Sequence, residues 1–84
     1  MKPITIYTKS WCPYCADAKA LLAKKNAAFE EVDVDGNGAA TKAMMTRSGR
    51  SSVPQIFIGG QHVGGCDDLY ALERDGKLDA LLAE

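Results

Sequence analysis

Apolar positions fall into short runs whose spacing changes along the chain. Ile4 to Tyr7 is a β-rich run after Pro3, and Thr8-Lys9-Ser10-Trp11 leads from it into a stretch with helical spacing. Pro13 suits the first helical position, because its missing N–H is one of the donors left unpaired there. Cys15, Ala18, Leu21 and Leu22 then share one face, with Asp17, Lys19, Lys24 and Lys25 on the wet side. Phe29 to Val34 alternates apolar with acidic residues as a half-buried strand does, and Asp35-Gly36-Asn37-Gly38 is a cluster of turn formers. Ala39 to Ser48 has helix-forming composition and stops at Gly49; of Met44 and Met45 within it, at least one belongs in the core. Gln55 to Ile58 and Gln61 to Gly64 flank Gly59-Gly60, a strong hairpin signal. Asp67-Asp68 opens a last helix with negative charge where the helix dipole favours it, Leu69 and Leu72 give it an apolar stripe, and Asp75-Gly76 closes it. Residues 78 to 83 add one more turn.

The order is β-α-β-α-β-β-α. Two βα units require a parallel pair with a right-handed crossover, and the hairpin adds antiparallel pairing. A four-stranded mixed sheet with helices on both faces follows, an α/β layout that resembles the thioredoxin fold. Eighty-four residues, without repeat or linker, form one domain over positions 1–84. Apolar residues at 46% and charged residues at 25% are ordinary for a chain that folds alone. A net charge of −1 supplies no basic field for a nucleic-acid backbone. The charge is uneven, however. Lys2, Lys9, Lys19, Lys24 and Lys25 face only Asp17 before residue 30, whereas Asp67, Asp68, Glu73, Asp75, Asp79 and Glu84 dominate the tail, a distribution suited to a small zwitterion. No apolar run is long enough for a membrane span or a signal peptide, so a soluble, cytoplasmic protein is expected. Three cysteines, an odd number, fit a reducing compartment and a working thiol better than a disulfide framework.

Cys12-Pro13-Tyr14-Cys15 lies in the turn from the first strand into a helix. Cys12 at the helix N-terminus meets unpaired N–H groups and a dipole that favour thiolate over thiol, and Lys9 adds a nearby cation. Cys15, about one turn down the same helix, is close enough to bridge and shielded enough to stay a thiol. Cys12 is therefore expected to attack and Cys15 to resolve. Two inert core cysteines are the bland alternative, which a helix-opening position does not suit. Zinc is the stronger rival: Cys12, Cys15, His62 and Cys66 could supply four tetrahedral ligands. Against it, the stretch between Cys15 and His62 far exceeds the ~12 to 20 residues usual in compact zinc modules.

Tyr7-Thr8-Lys9 before Cys12-Pro13-Tyr14-Cys15, then Ser52-Val53-Pro54, then Gly64-Gly65-Cys66-Asp67-Asp68-Leu69, resemble the dithiol glutaredoxins over nearly the whole chain. The resemblance implies an enzyme that reduces glutathione mixed disulfides and protein disulfides with glutathione as the reducing co-substrate. It implies no permanently bound cofactor, and a monomer whose partners are glutathionylated or disulfide-containing proteins. It also implies that the bond from Val53 to Pro54 is cis and that Ser52, Val53 and Pro54 meet the peptide, Val53 pairing with it in the manner of a strand. Gly65, Cys66, Asp67 and Asp68 would receive the γ-glutamyl end, backbone N–H groups taking its carboxylate and an Asp side chain its ammonium. Lys9 would face the glycine carboxylate and Tyr14 would lie beside the bound peptide. Thr41 and Lys42 depart from the long Gln or Arg that many relatives carry in the second helix.

Other classes remain open on sequence alone. Some relatives hold a [2Fe–2S] cluster between two subunits through the first cysteine and external glutathione, but Pro13 and the second cysteine argue against that here. A thioredoxin proper is the nearest enzyme rival, and its usual Cys-Gly-Pro-Cys is absent. Trp11 is expected on the recognition surface and His62 at the turn side or edge of the hairpin, with no chemical role assigned to it.

Overall fold

A computed structural model describes residues 1–83; Glu84, the last acidic residue of the tail, lies outside the described residues. The chain runs β1 (Ile4–Thr8), α1 (Pro13–Lys24), β2 (Glu30–Asp33), α2 (Gly38–Ser48), β3 (Gln55–Ile58), β4 (Gln61–Gly64), α3 (Cys66–Arg74) and α4 (Leu78–Ala83). The sheet order is β2-β1-β3-β4, with β1 parallel to β2 and antiparallel to β3, and β3 antiparallel to β4. This is the mixed α/β sheet that the sequence pattern requires.

Alternation along the two central strands divides the core. Ile4 and Ile6 of β1 and Ile56 and Ile58 of β3 pack against Ala18, Leu21 and Leu22 of α1, Leu69 of α3, and Leu78 and Leu82 of α4. Tyr7 and Phe57 point the other way and meet Val34 and Met44 beneath α2. Met44 is wholly buried while its neighbour Met45 is exposed, as expected of two adjacent positions on a helix covering one face of a sheet.

Strand β2 is shorter and wetter than its alternation suggests. It pairs on one side only, and Glu30, Glu31 and Asp33 are all exposed. Acidic side chains on an edge discourage pairing with another chain. Glu31 also ties three elements together: it accepts from the Thr8 hydroxyl at 2.6 Å and from Lys19 Nζ at 3.0 Å. Those two donors, the hydroxyl first, hold its carboxyl below the usual carboxylate range. Lys25, expected on the wet side of α1, is largely covered instead. Its ammonium sits 2.8 Å from Glu73 and 2.9 Å from Asp79, joining the end of α1 to α3 and α4.

The Gly59-Gly60 turn has φ of +58° and +83°, both in the region that hairpin turns of this length demand. Partner positions set which segments meet. Tyr7 near the end of β1 is level with Gln55 at the start of β3, and Ile56 is level with Gly64 at the end of β4. The loop into α1, the loop before β3 and the junction into α3 are thereby gathered at one end of the sheet.

Met44 fastens α2 to the sheet with one fully buried side chain, so Met44→Ala should lower stability by about 2–5 kcal/mol. Urea unfolding followed by far-UV circular dichroism checks this, with the midpoint falling and the slope unchanged.

Candidate active site

Cys12 is the N-cap of α1. Its Sγ accepts a hydrogen bond from the Cys15 N–H at 3.3 Å, where a serine or aspartate oxygen would ordinarily sit. Pro13 directly after it presets the first helical turn. The loop is closed by the Cys12 N–H donating to the Lys9 carbonyl at 3.1 Å. On the other side, Cys12 Sγ lies 3.9 Å from the Val53 carbonyl oxygen, so the first cysteine touches the loop before β3. The peptide bond from Val53 to Pro54 is cis.

Cys15 is almost completely buried. Burial, reinforced by its hydrogen bond to Cys12 and by the Cys12 charge, pushes its thiol up to about 12. It is a proton-bearing group at neutral pH. All three cysteines are free thiols. Cys66 opens α3 on the core side, and its thiol is pushed up first by burial and then by the charges of Asp17, Asp67 and Cys12.

A groove of about 830 Å³ runs beside this pair. Of the residues singled out in the sequence, Tyr14, Ser52, Val53, Pro54, Gly65, Cys66 and Asp67 line it. Asp17, Arg50 and Tyr70 line it too, none of which the sequence pattern had marked. The Tyr70 hydroxyl donates to the Asp17 carbonyl at 3.1 Å and so bridges α3 to α1 across the groove. A polar helix face and a basic loop residue read as solvated surface in one dimension; only the approach of α1 to α3 turns them into a wall.

The two adjacent acids part company. Asp67 lines the groove, whereas Asp68 turns back to accept from the Gly65 N–H at 2.9 Å, half of a capping box, and pairs with Arg50 at 3.2 Å. The Gly65 N–H, and after it Arg50, hold the Asp68 carboxyl below its usual range. Because the folded value lies below the unfolded one, this stabilisation is complete above the ordinary carboxylate range and fades as pH falls through the folded value. Gly64, at φ +120°, leaves room for that carboxylate: a Cβ there would collide with it.

Lys9 stands apart from the groove. It lines a second depression of about 640 Å³ with Thr41 and Lys42 at the start of α2, and its ammonium lies 5.5 Å from the centre of the Trp11 ring. The Thr41 hydroxyl is occupied by the Val34 and Asn37 carbonyls, so lysines supply the charge there. Trp11 and Tyr14 are exposed, at 65% and 67%.

His62 is half-buried on the α2 face of β4, 4.9 Å from the Phe57 ring, while Cys66 packs in the core on the opposite face. The four candidate zinc ligands are therefore not brought together. Among the described residues no group of three or more His, Cys, Asp or Glu side chains is placed to hold a metal ion.

The glutaredoxin family model matches residues 4–63. The chain belongs to the glutaredoxin family. Glutaredoxin 3 of Escherichia coli K12 is 58% identical over 82 residues, covering 98% of this chain and 99% of that protein. The solution structure of a glutaredoxin from Brucella melitensis superposes with a TM-score of 0.85 at 60% identity, over 98% of this chain and 89% of the other. A crystal structure of a buckwheat glutaredoxin–glutathione complex superposes with a TM-score of 0.88 at 34% identity, over 98% of this chain and 77% of the other. The fold is thus the thioredoxin-like glutaredoxin fold, and the family is one of thiol–disulfide oxidoreductases. No helix among the described residues is long and apolar enough to cross a membrane.

With Cys15 held protonated, iodoacetamide at pH 7 should modify Cys12 far faster than Cys15 or Cys66. Mass spectrometry of peptides after a short pulse measures the ratio, and comparable labelling of Cys12 and Cys15 would contradict the division of roles.

Proposed function

We propose that this glutaredoxin reduces glutathione mixed disulfides and protein disulfides through Cys12 and Cys15, with glutathione as the electron donor. The observation that carries the reading is the position of Cys12. Its sulfur accepts from a helix-terminal N–H and lies 3.9 Å from the carbonyl oxygen of Val53, a residue of the groove wall that Ser52-Val53-Pro54 forms with the start of α3.

Cys12 as thiolate attacks the glutathione sulfur of a mixed disulfide. A bond forms between the two sulfurs, the disulfide bond breaks, and the released thiolate takes a proton from water. The thiolate of a second glutathione then attacks the glutathione sulfur bound to Cys12, yielding glutathione disulfide and returning Cys12 as thiolate. With a protein disulfide, Cys12 forms the mixed disulfide; Cys15 gives its proton to water and attacks Cys12 Sγ, the substrate sulfur leaves as a thiolate that takes up a proton, and the disulfide between Cys12 and Cys15 is left for two glutathiones to reduce. Loss of charge on Cys12 in the mixed disulfide weakens two of the influences that raise the Cys15 thiol and leaves burial, the largest, in place.

In this reading Val53 pairs with the backbone of glutathione. Ser52, Pro54 and Tyr14 flank the peptide, and the N–H of Cys66 at the start of α3 receives the γ-glutamyl carboxylate, the Gly65 N–H being held by Asp68. Asp67, whose carboxylate is not engaged by the capping box, takes the ammonium, while Asp68 acts indirectly by fixing the Gly65 turn. Lys9 faces the glycine carboxylate from the depression it shares with Lys42. The protein works as a single-domain monomer in the reducing cytoplasm, where it contributes electrons to thiol homeostasis.

Two experiments test this in a coupled assay with glutathione, its reductase and NADPH. Cys12→Ser should abolish turnover of a small glutathione mixed disulfide, because a serine hydroxyl is not ionised near neutral pH. Cys15→Ser should retain that turnover and lose reduction of protein disulfides. Equal loss of both activities in Cys15→Ser would remove the two-thiol route.

Asp67→Asn should cost about tenfold in kcat/KM for glutathione, the scale of one partly exposed charged hydrogen bond. A donor lacking the γ-glutamyl ammonium should be used equally by the variant and the parent, and a glutathione-specific loss in this comparison is the decisive result.

A further inference from the structure

Gln55 is polar yet fully buried at 1% exposure, inside the central strand β3. A buried amide is costly unless its hydrogen bonds are made. Its Nε2 donates to the Ser52 carbonyl at 3.0 Å and to the Ser52 hydroxyl at 3.2 Å. A carbonyl oxygen only accepts, so this contact fixes which end of the amide faces Ser52. The amide oxygen then faces His62, whose Nε2 lies 2.8 Å away. That oxygen also only accepts, and His62 must therefore carry a proton on Nε2. The imidazole is steadied from a second side by the Phe57 ring at 4.9 Å, and Phe57 itself carries the Arg47 guanidinium 4.0 Å from its centre. One chain of contacts thus runs from the edge strand β4 through a buried amide to the residue that begins the Ser52-Val53-Pro54 loop.

We propose that Gln55 and His62 are positioning residues for the glutathione subsite: together they hold Ser52, and through it the Val53 backbone, where the bound tripeptide needs it. This rests on the glutathione reading of the groove given above. Neither side chain lines the groove. They act on its geometry from behind the sheet, and the cost of losing them should fall on binding rather than on the thiol chemistry at Cys12.

Gln55→Leu removes the amide at similar volume, and His62→Phe keeps a ring against Phe57 while deleting the Nε2–H. Each should raise KM for a small glutathione mixed disulfide by about five- to tenfold, on the scale of one buried hydrogen bond. The maximal rate and the rate of Cys12 alkylation by iodoacetamide should stay near those of the parent. In nitrogen-15 spectra the Val53 amide resonance should shift in both variants. An unchanged KM in a folded variant overturns the proposal, and so does a parallel fall in maximal rate and Cys12 alkylation, which would mean that the variant disturbs the active-site loop generally. His62→Phe, the milder change, decides alone if Gln55→Leu does not fold. Failure of the unaltered protein to turn over the glutathione substrate would instead sink the functional reading beneath it, so the two failures are distinguishable.

Discussion

The antiparallel pairing of β1 with β3 governs the rest of the molecule. Each of these strands is covered on both faces, so a slip of one residue would exchange Ile4, Ile6, Ile56 and Ile58 for Tyr7, Phe57 and Gln55 beneath α1. With the register held by that penalty, three chain segments far apart in sequence must end at the same edge. Cys12, the cis-proline loop and the start of α3 are neighbours because two isoleucine-rich strands have only one way to bury themselves.

Most of this geometry was legible in one dimension because it rests on local periodicity and on turn chemistry. Pro13, Gly49 and Gly59-Gly60 punctuate the elements, and the apolar run Ile56-Phe57-Ile58 beside the glycine turn marks a strand. The closeness of Cys12 and Cys15 was legible for the same reason, since a cysteine at a strand-to-helix turn meets a fixed local environment. Groove residues contributed by approach of separate elements were not. Asp17 and Tyr70 are 53 positions apart and are joined by a side chain reaching a backbone carbonyl, which no spacing encodes. Gln55 offered a partial signal, a polar residue adjoining an apolar run in a central strand, but its partner His62 lies across a bulged pairing between β3 and β4.

The acidic pair at α3 shows how burial and backbone direction separate residues that composition treats alike. Asp68 is at the position whose side chain reaches back to the N-cap N–H, and its charge is spent on the local turn and on Arg50. Asp67, one residue earlier, is rotated about the helix axis by roughly 100° and reaches the groove. Adjacent identical side chains thus divide into one that builds the turn and one that lines the groove. Arg50 belongs to the first group through its ion pair and to the second through its place in the groove wall.

The N-cap bond to Cys12 carries a consequence for the energetics of the whole chain. The cap bond from the Cys15 N–H is made to the free sulfur of the reduced protein and helps stabilise it, and a covalent bond at that sulfur changes the acceptor. By thermodynamic linkage, whatever the helix terminus gives to the reduced form must be returned when the sulfur is oxidised. The start of α1 is therefore coupled to the oxidation state of the sulfur that caps it: the helix terminus and any bond made at Cys12 each set part of the energy of the other.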